Sequence, residues 1–346
     1  MSRNYQSPQY YQALKKRRKL AELMIFIAIP ATIAAGVYFG KNRNYMMMSL
    51  LVLAFTLVPF FAVFEHRKPR ARELVMISVV SSIAVVANLL CAFTVPVHAG
   101  TAVVVVSGIA LGPEAGFLVG ALARFVCNFF TGQGPWTPWE MSAWGIIGFS
   151  AGLAFHKVSL KNIFDEKKAV GMLEKDKSAS GEMQDKISSN RKQQKMWKTS
   201  LEAVAGPLGG VILALLVAYI SYILKGNQQE SFWGWRLYVY GICGLLLGIT
   251  IQRKKLPVDN LTVPVFTFLV VFLVYGGIMN IAAMVMSNAI SGEQYPISIE
   301  SLKLLYLTGA PYDALHALGA AVCSFVFGES MIRKIERIRI KYGVYQ

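Results

Sequence analysis

The sequence predicts an all-α, polytopic membrane bundle, and three observations carry that expectation. Hydrophobic residues make up 55% of the 346 positions and charged residues 16%, with a mean hydropathy of +0.46. That balance excludes an ordinary water-soluble domain. The apolar residues fall into runs near the roughly 20 residues a helix needs to cross the hydrocarbon core. The net charge of +16 lies between and beyond those runs, where it orients a chain in a bilayer. Nucleic-acid binding is therefore not expected, and membrane lipid is the surrounding medium.

Read in order, the chain opens with a basic tail over 1–20, including Lys15–Lys19. A pair of spans, 21–40 and 45–64, fills the segment 21–72. The first of these has no small-residue cleavage site after it and is expected to stay as an anchor. Four further runs follow within 73–157, at 73–95, 99–112, 115–130 and 140–157. The second and third of these are short and separated only by Gly112, Pro113 and Glu114. They are expected either to be buried behind longer helices or to sit where the bilayer thins. Residues 158–199 are rich in Lys, Asp, Glu, Ser and Gln, and read as a flexible cytoplasmic linker. A second pair, 201–224 and 235–251, occupies 200–260, and two last spans, 261–288 and 302–328, lead to a basic tail ending at 346.

The Lys and Arg residues test this order. Alternate segments carry 29 of them, beginning with the amino-terminal tail, and the opposite side carries 5. Both termini are thus expected in the cytoplasm. Arg124 alone remains within a span.

No nucleotide-binding loop, zinc-protease motif or nucleophile elbow is present, so an enzymatic role is not expected. The four cysteines have no metal-ligand or disulfide spacing and read as small core residues, and no cofactor is implied. Chemistry must reside in the few polar groups within spans, each costly in lipid unless it faces protein, water or ligand. Arg124 and Asn128 lie one turn apart on a helix that leads to Gln133. Asn88 and His98 form a second set, and Asn280 lies in a later span. Tyr312, Asp313 and His316 follow Pro311, which is read as a first helical position, with Asp313 near a helix amino terminus. The run Thr131–Met141, containing Pro135, Trp136, Pro138 and Trp139, reads as a stiff aromatic loop at the outer face, a lid over a ligand cavity. An interfacial anchor is its plain alternative.

Several stretches together resemble the S components of energy-coupling factor (ECF) transporters: Arg72–Val75, Ala110–Gly116, Asn128–Met141, Gly277–Asn280 and Gly309–His316. The resemblance implies a six-helix substrate-binding core over 73–157 and 261–335, and the four extra transmembrane helices, 21–40, 45–64, 201–224 and 235–251, depart from the family pattern. It also implies an ECF transmembrane scaffold and two ABC-type ATPases as partners. The small-residue motif that meets the scaffold would be Ser78 and Ser82. Among the family, the sequence is most similar to the cobalamin-type subunit. Asn88, His98, Arg124, Asn128, Gln133, Trp136, Trp139, Asn280, Tyr312, Asp313 and His316 are then the expected ligand contacts. Either histidine has the chemistry to approach cobalt, with helix packing as the alternative.

Overall fold

The computed structural model describes residues 71–91, 98–155, 182–224, 231–252, 255–291 and 298–342, with residues 19, 51 and 54. The expected spans 21–40 and 45–64 lie outside the described residues. The helices are α1 (Ala71–Cys91), α2 (Ala99–Leu111), α3 (Pro113–Thr131), α4 (Thr137–Ala154), α5 (Glu182–Leu224) and α6 (Trp235–Gln252). Then α7 (Thr262–Val270) runs through a π turn, Val271–Tyr275, into α8 (Gly276–Ser291). Likewise α9 (Ile299–Cys323) runs through a π turn, Ser324–Gly328, into α10 (Glu329–Lys341). Six of the described helical stretches are long and apolar enough to cross a membrane, and the chain is a multi-pass membrane protein.

The short helix α2 is the centre of the bundle. All of its 13 residues are buried, in a sequence that opens Ala-Gly-Thr-Ala followed by four valines. Of the two arrangements open to a short apolar run, burial behind longer helices is the one found. A helix of small and β-branched residues has a narrow cross-section, and it packs against α1, α3, α4, α9 and α10. Backbones come closest where glycines face each other. A Cβ on Gly148 of α4 would lie 2.2 Å from the Gly116 carbonyl oxygen of α3. Only glycine permits that approach, and Gly108 of α2 meets the same turn of α4, its Cβ position 2.0 Å from the Gly148 carbonyl oxygen.

One end of the bundle gathers the chain segments that the charge count assigns to one side. Arg72 donates to the Tyr342 carbonyl at 2.9 Å, and Arg339 donates to the Ala110 carbonyl at 2.6 Å. Arg339 thereby satisfies a carbonyl in the last turn of α2. At the same end the Leu256 amide donates to the Ala154 carbonyl at 2.8 Å.

Four expectations are corrected. The segment 158–199 is not linker throughout, because α5 is a single helix from Glu182. Pro311 is not a helix start; it lies inside α9, which begins at Ile299 after the Ser298 side chain caps the Ser301 amide. Asp313 is accordingly a buried mid-helix residue rather than a first-turn carboxylate. Of the cysteines, Cys127 is buried and Cys243 exposed, so a core role holds for the former and not the latter.

Candidate functional site

The stretch expected to be a loop is mostly helix. Helix α3 ends at Thr131, Gly132 takes a positive φ of 110°, and α4 already begins at Thr137. Pro138 sits in the first turn of α4, where a missing amide hydrogen costs no helical bond. Trp139 is therefore a core residue, fully buried with Phe117, Ala121 and Val285. It does not stand in a lid. Trp136 is half-buried and its indole donates to the Gly132 carbonyl at 3.2 Å. Of the two tryptophans, only Trp136 belongs to the turn.

A polar network crosses the α3–α4 joint. Asn128 is fully buried and its amide donates to Thr137 Oγ1 at 3.0 Å and to Glu140 Oε2 at 2.7 Å. The Thr137 hydroxyl donates to Gln133 Oε1 at 2.9 Å, and the exposed Gln133 reaches back to the Phe125 carbonyl at 3.2 Å. Both amide hydrogens of Asn128 are engaged within the hairpin. Asn128 and Gln133 thus set the geometry of the turn and of Glu140.

Glu140 in turn pairs with Arg124, with the two side chains 12% and 10% exposed for arginine and glutamate. A lone intramembrane cation is expensive, and this carboxylate is its partner. The Arg124 guanidinium also lies over the Trp144 indole, 5.4 Å from the ring centroid, a favourable cation–π placement. Glu140 lies inside the run read as a lid, yet nothing in its spacing marks it as the partner of Arg124.

Beside this pair, α1, α2 and α9 bring together Asn88, His98, Tyr312 and His316. His98 Nδ1 faces Asn88 Oδ1 at 3.3 Å, and its Nε2 faces the Tyr312 hydroxyl at 3.5 Å. A neutral imidazole has one donor and one acceptor nitrogen. Since Asn88 Oδ1 can only accept, Nδ1 carries the hydrogen and Nε2 accepts from Tyr312. The His98 and His316 ring centroids are 4.3 Å apart, and Tyr275 meets His316 edge-on at 4.7 Å. His316 is fully buried, with Nε2 3.1 Å from Thr101 Oγ1. The position of Gly100 lets the walls close. A Cβ there would lie 2.8 Å from Asn88 Cβ and 2.9 Å from the Trp144 ring.

Three buried polar atoms of this region have no partner among the described residues: Arg124 Nε, Trp144 Nε1 and His316 Nδ1. Buried polar atoms are normally satisfied, and each one left over invites a ligand or water. The arrangement can bind, with hydrogen-bond groups set in an aromatic frame. Among the described residues no group of three or more His, Cys, Asp or Glu side chains could hold a metal ion.

Asn280 and Asp313 are placed apart from the His98–His316 pair. The Asn280 amide donates to Asp313 Oδ2 at 2.7 Å, and Tyr238 of α6 donates to the same oxygen at 2.5 Å. Ser78 and Ser82 lie exposed on α1, with the Ser82 hydroxyl returning to the Ser78 carbonyl at 3.0 Å. A separate apolar cleft of about 50 Å³ lies between α5, α6 and α7. It is lined by groups such as Val204, Pro207, Leu245 and Phe266 and is remote from the polar cluster.

Sequence reasoning missed Thr101, Glu140, Trp144, Tyr275 and Tyr238. For Glu140 a signal existed, since a single intramembrane arginine demands an anion. Thr101, Tyr275 and Tyr238 meet their partners across long stretches of chain and leave no local pattern.

Residues 68–173 match the family model of the ECF-type riboflavin transporter, S component. A UPF0397 protein of Vibrio atlanticus (strain LGP32) is 39% identical over 67 residues, covering 18% of this chain and 36% of that relative. The chain thus spans about a third of the length of this curated relative. No solved structure matches the chain at a significant level. Within residues 68–173, then, the chain is similar to ECF S components.

Proposed function

We propose that this chain is the substrate-binding S component of an ECF-type importer, a non-enzymatic membrane subunit that captures a vitamin-like small molecule. The observation that carries the reading is the convergence of unpartnered buried polar atoms at Arg124, Trp144 and His316 within the part of the chain that matches the family and the helix that faces it. In this reading Arg124, His98, His316 and Tyr312 contact the ligand, Asn88 orients His98, and Trp136 covers the outer mouth. Asn128 and Gln133 hold the turn in place, and Trp139 stabilises the fold beneath it.

The ligand is proposed only as a class. The matched family is named for riboflavin, and no comparison supports the corrinoid expected from sequence. The Arg124 charge is already matched by Glu140, so the site favours a ligand carrying acceptors and aromatic surface over a strongly charged one. Asp313 and His316 take different partners, Tyr238 with Asn280 and Thr101. They do not form the acid–base pair an intramembrane enzyme would need.

The proposed partners are an ECF transmembrane scaffold and two ATPases. The test is co-reconstitution in vesicles, using radiolabelled riboflavin as the first probe and a vitamin panel after it. Uptake should require this chain, the scaffold, the two ATPases and ATP together. ATP-independent concentrative uptake by this chain alone would reject the reading in favour of a secondary transporter.

A further inference from the structure

The helices α5 and α6 fall outside the expected six-helix core, and one residue ties them to the site. Tyr238 of α6 is 1% exposed, stacks on Phe272 at 5.1 Å, and meets Tyr306 of α9 at 4.6 Å. Its hydroxyl donates to Asp313 Oδ2, which also accepts from Asn280. The carboxyl lies in a span, where it is costly unless its lone pairs are taken up. It is held by two neutral donors from two other helices.

The joint is placed where α9 is weakest. Pro311 lacks an amide hydrogen, so the Leu307 carbonyl loses its helical donor. One turn of α9 carries Tyr312 and His316 toward the ligand site and Asp313 toward Tyr238. On the facing helix, Asn280 is packed so closely that a Cβ on Gly309 of α9 would lie 2.3 Å from its side-chain oxygen. The π turn just before α8 ends at Tyr275, which touches His316, and Gly276 follows it against Asp313. Such turns shift the face a helix presents. Here one side of the turn meets the site and the other meets the joint.

We propose that the α5–α6 hairpin is a positioning element. Through the Tyr238 hydroxyl and Asp313 it fixes the rotation of α9 about Pro311, and with it the placement of Tyr312 and His316. The proposal rests on the reading of the His98–His316 cluster as the ligand site only in saying what is being positioned. Asp313 and Asn280 are then positioning residues, one step removed from the ligand.

The test needs no ligand, so its failure and the failure of the transport reading are distinguishable. The full chain is labelled with ¹⁵N-histidine, and its four histidines, His66, His98, His156 and His316, are assigned by single His→Gln variants. Tyr238→Phe should shift the imidazole nitrogen signals of His316, because the contact of Nε2 with Thr101 depends on the rotation of α9. Tyr306→Phe, whose hydroxyl bonds to the Gly277 carbonyl instead, should leave them in place. A merely structural role for Tyr238 would lower the melting temperature and leave the His316 signals of the folded protein unmoved. Coincident His316 signals in wild type and Tyr238→Phe overturn the proposal. If Tyr238→Phe fails to fold, Asp313→Asn and Asp313→Leu are compared. The asparagine keeps an acceptor for Tyr238 and should shift His316 less than the leucine, and equal shifts overturn the proposal.

Discussion

Arg124 and Glu140 stand 16 residues apart in sequence and form a buried ion pair across the α3–α4 joint. Asn128 holds the second carboxylate oxygen, so the pair is fixed in orientation as well as in charge. Removing one partner leaves the other charge buried and uncompensated, at a cost of about 3–5 kcal/mol. Glu140→Gln should therefore lower thermal stability in detergent by an amount of that order. The double variant Arg124→Gln/Glu140→Gln should recover most of the stability and none of the ligand binding. Equal stability of wild type and Glu140→Gln, followed by melting, contradicts the pairing.

The two tryptophans of the joint should separate by kind of effect. Trp139→Ala empties a core position, and a large-to-small change of that sort costs about 3–5 kcal/mol. Trp136→Ala removes partly buried aromatic surface at the mouth, where burying half an indole contributes about 2 kcal/mol. It should weaken binding by about tenfold or more with little change in melting. The same loss of affinity in both variants, without destabilisation in either, would place both rings against the ligand.

The spans were legible because apolar runs of membrane length have few alternatives, and the buried, valine-rich α2 kept its predicted limits within a residue or two. The prolines misled in opposite directions. Pro135 and Pro138 suggested a loop, but they flank a helix start, where proline costs no hydrogen bond. Pro311 suggested a helix start, but neighbouring helices support a proline within α9. The site was legible only in part. Arg124, His98 and His316 stood out as polar groups in apolar runs. Tyr238 and Thr101 did not, because they meet Asp313 and His316 across 75 and 215 residues of chain.

Docking to a scaffold should depend on the exposed face of α1. Replacing Ser78 and Ser82 together by Leu adds bulk where close helix approach is proposed. The variant should bind ligand like wild type and fail to co-purify with an ECF scaffold and its ATPases. Co-purification at wild-type yield would move the interface elsewhere.

The most direct measurement is binding by the purified protein itself. Wild type and His316→Gln are equilibrated with a panel of vitamins that includes riboflavin and cobalamin, and the retained compound is identified by mass spectrometry and titrated by calorimetry. The account predicts one vitamin-like compound bound at one per chain, with affinity reduced at least about tenfold by the substitution. No retained compound from the panel, or one held equally well by the variant, would contradict it.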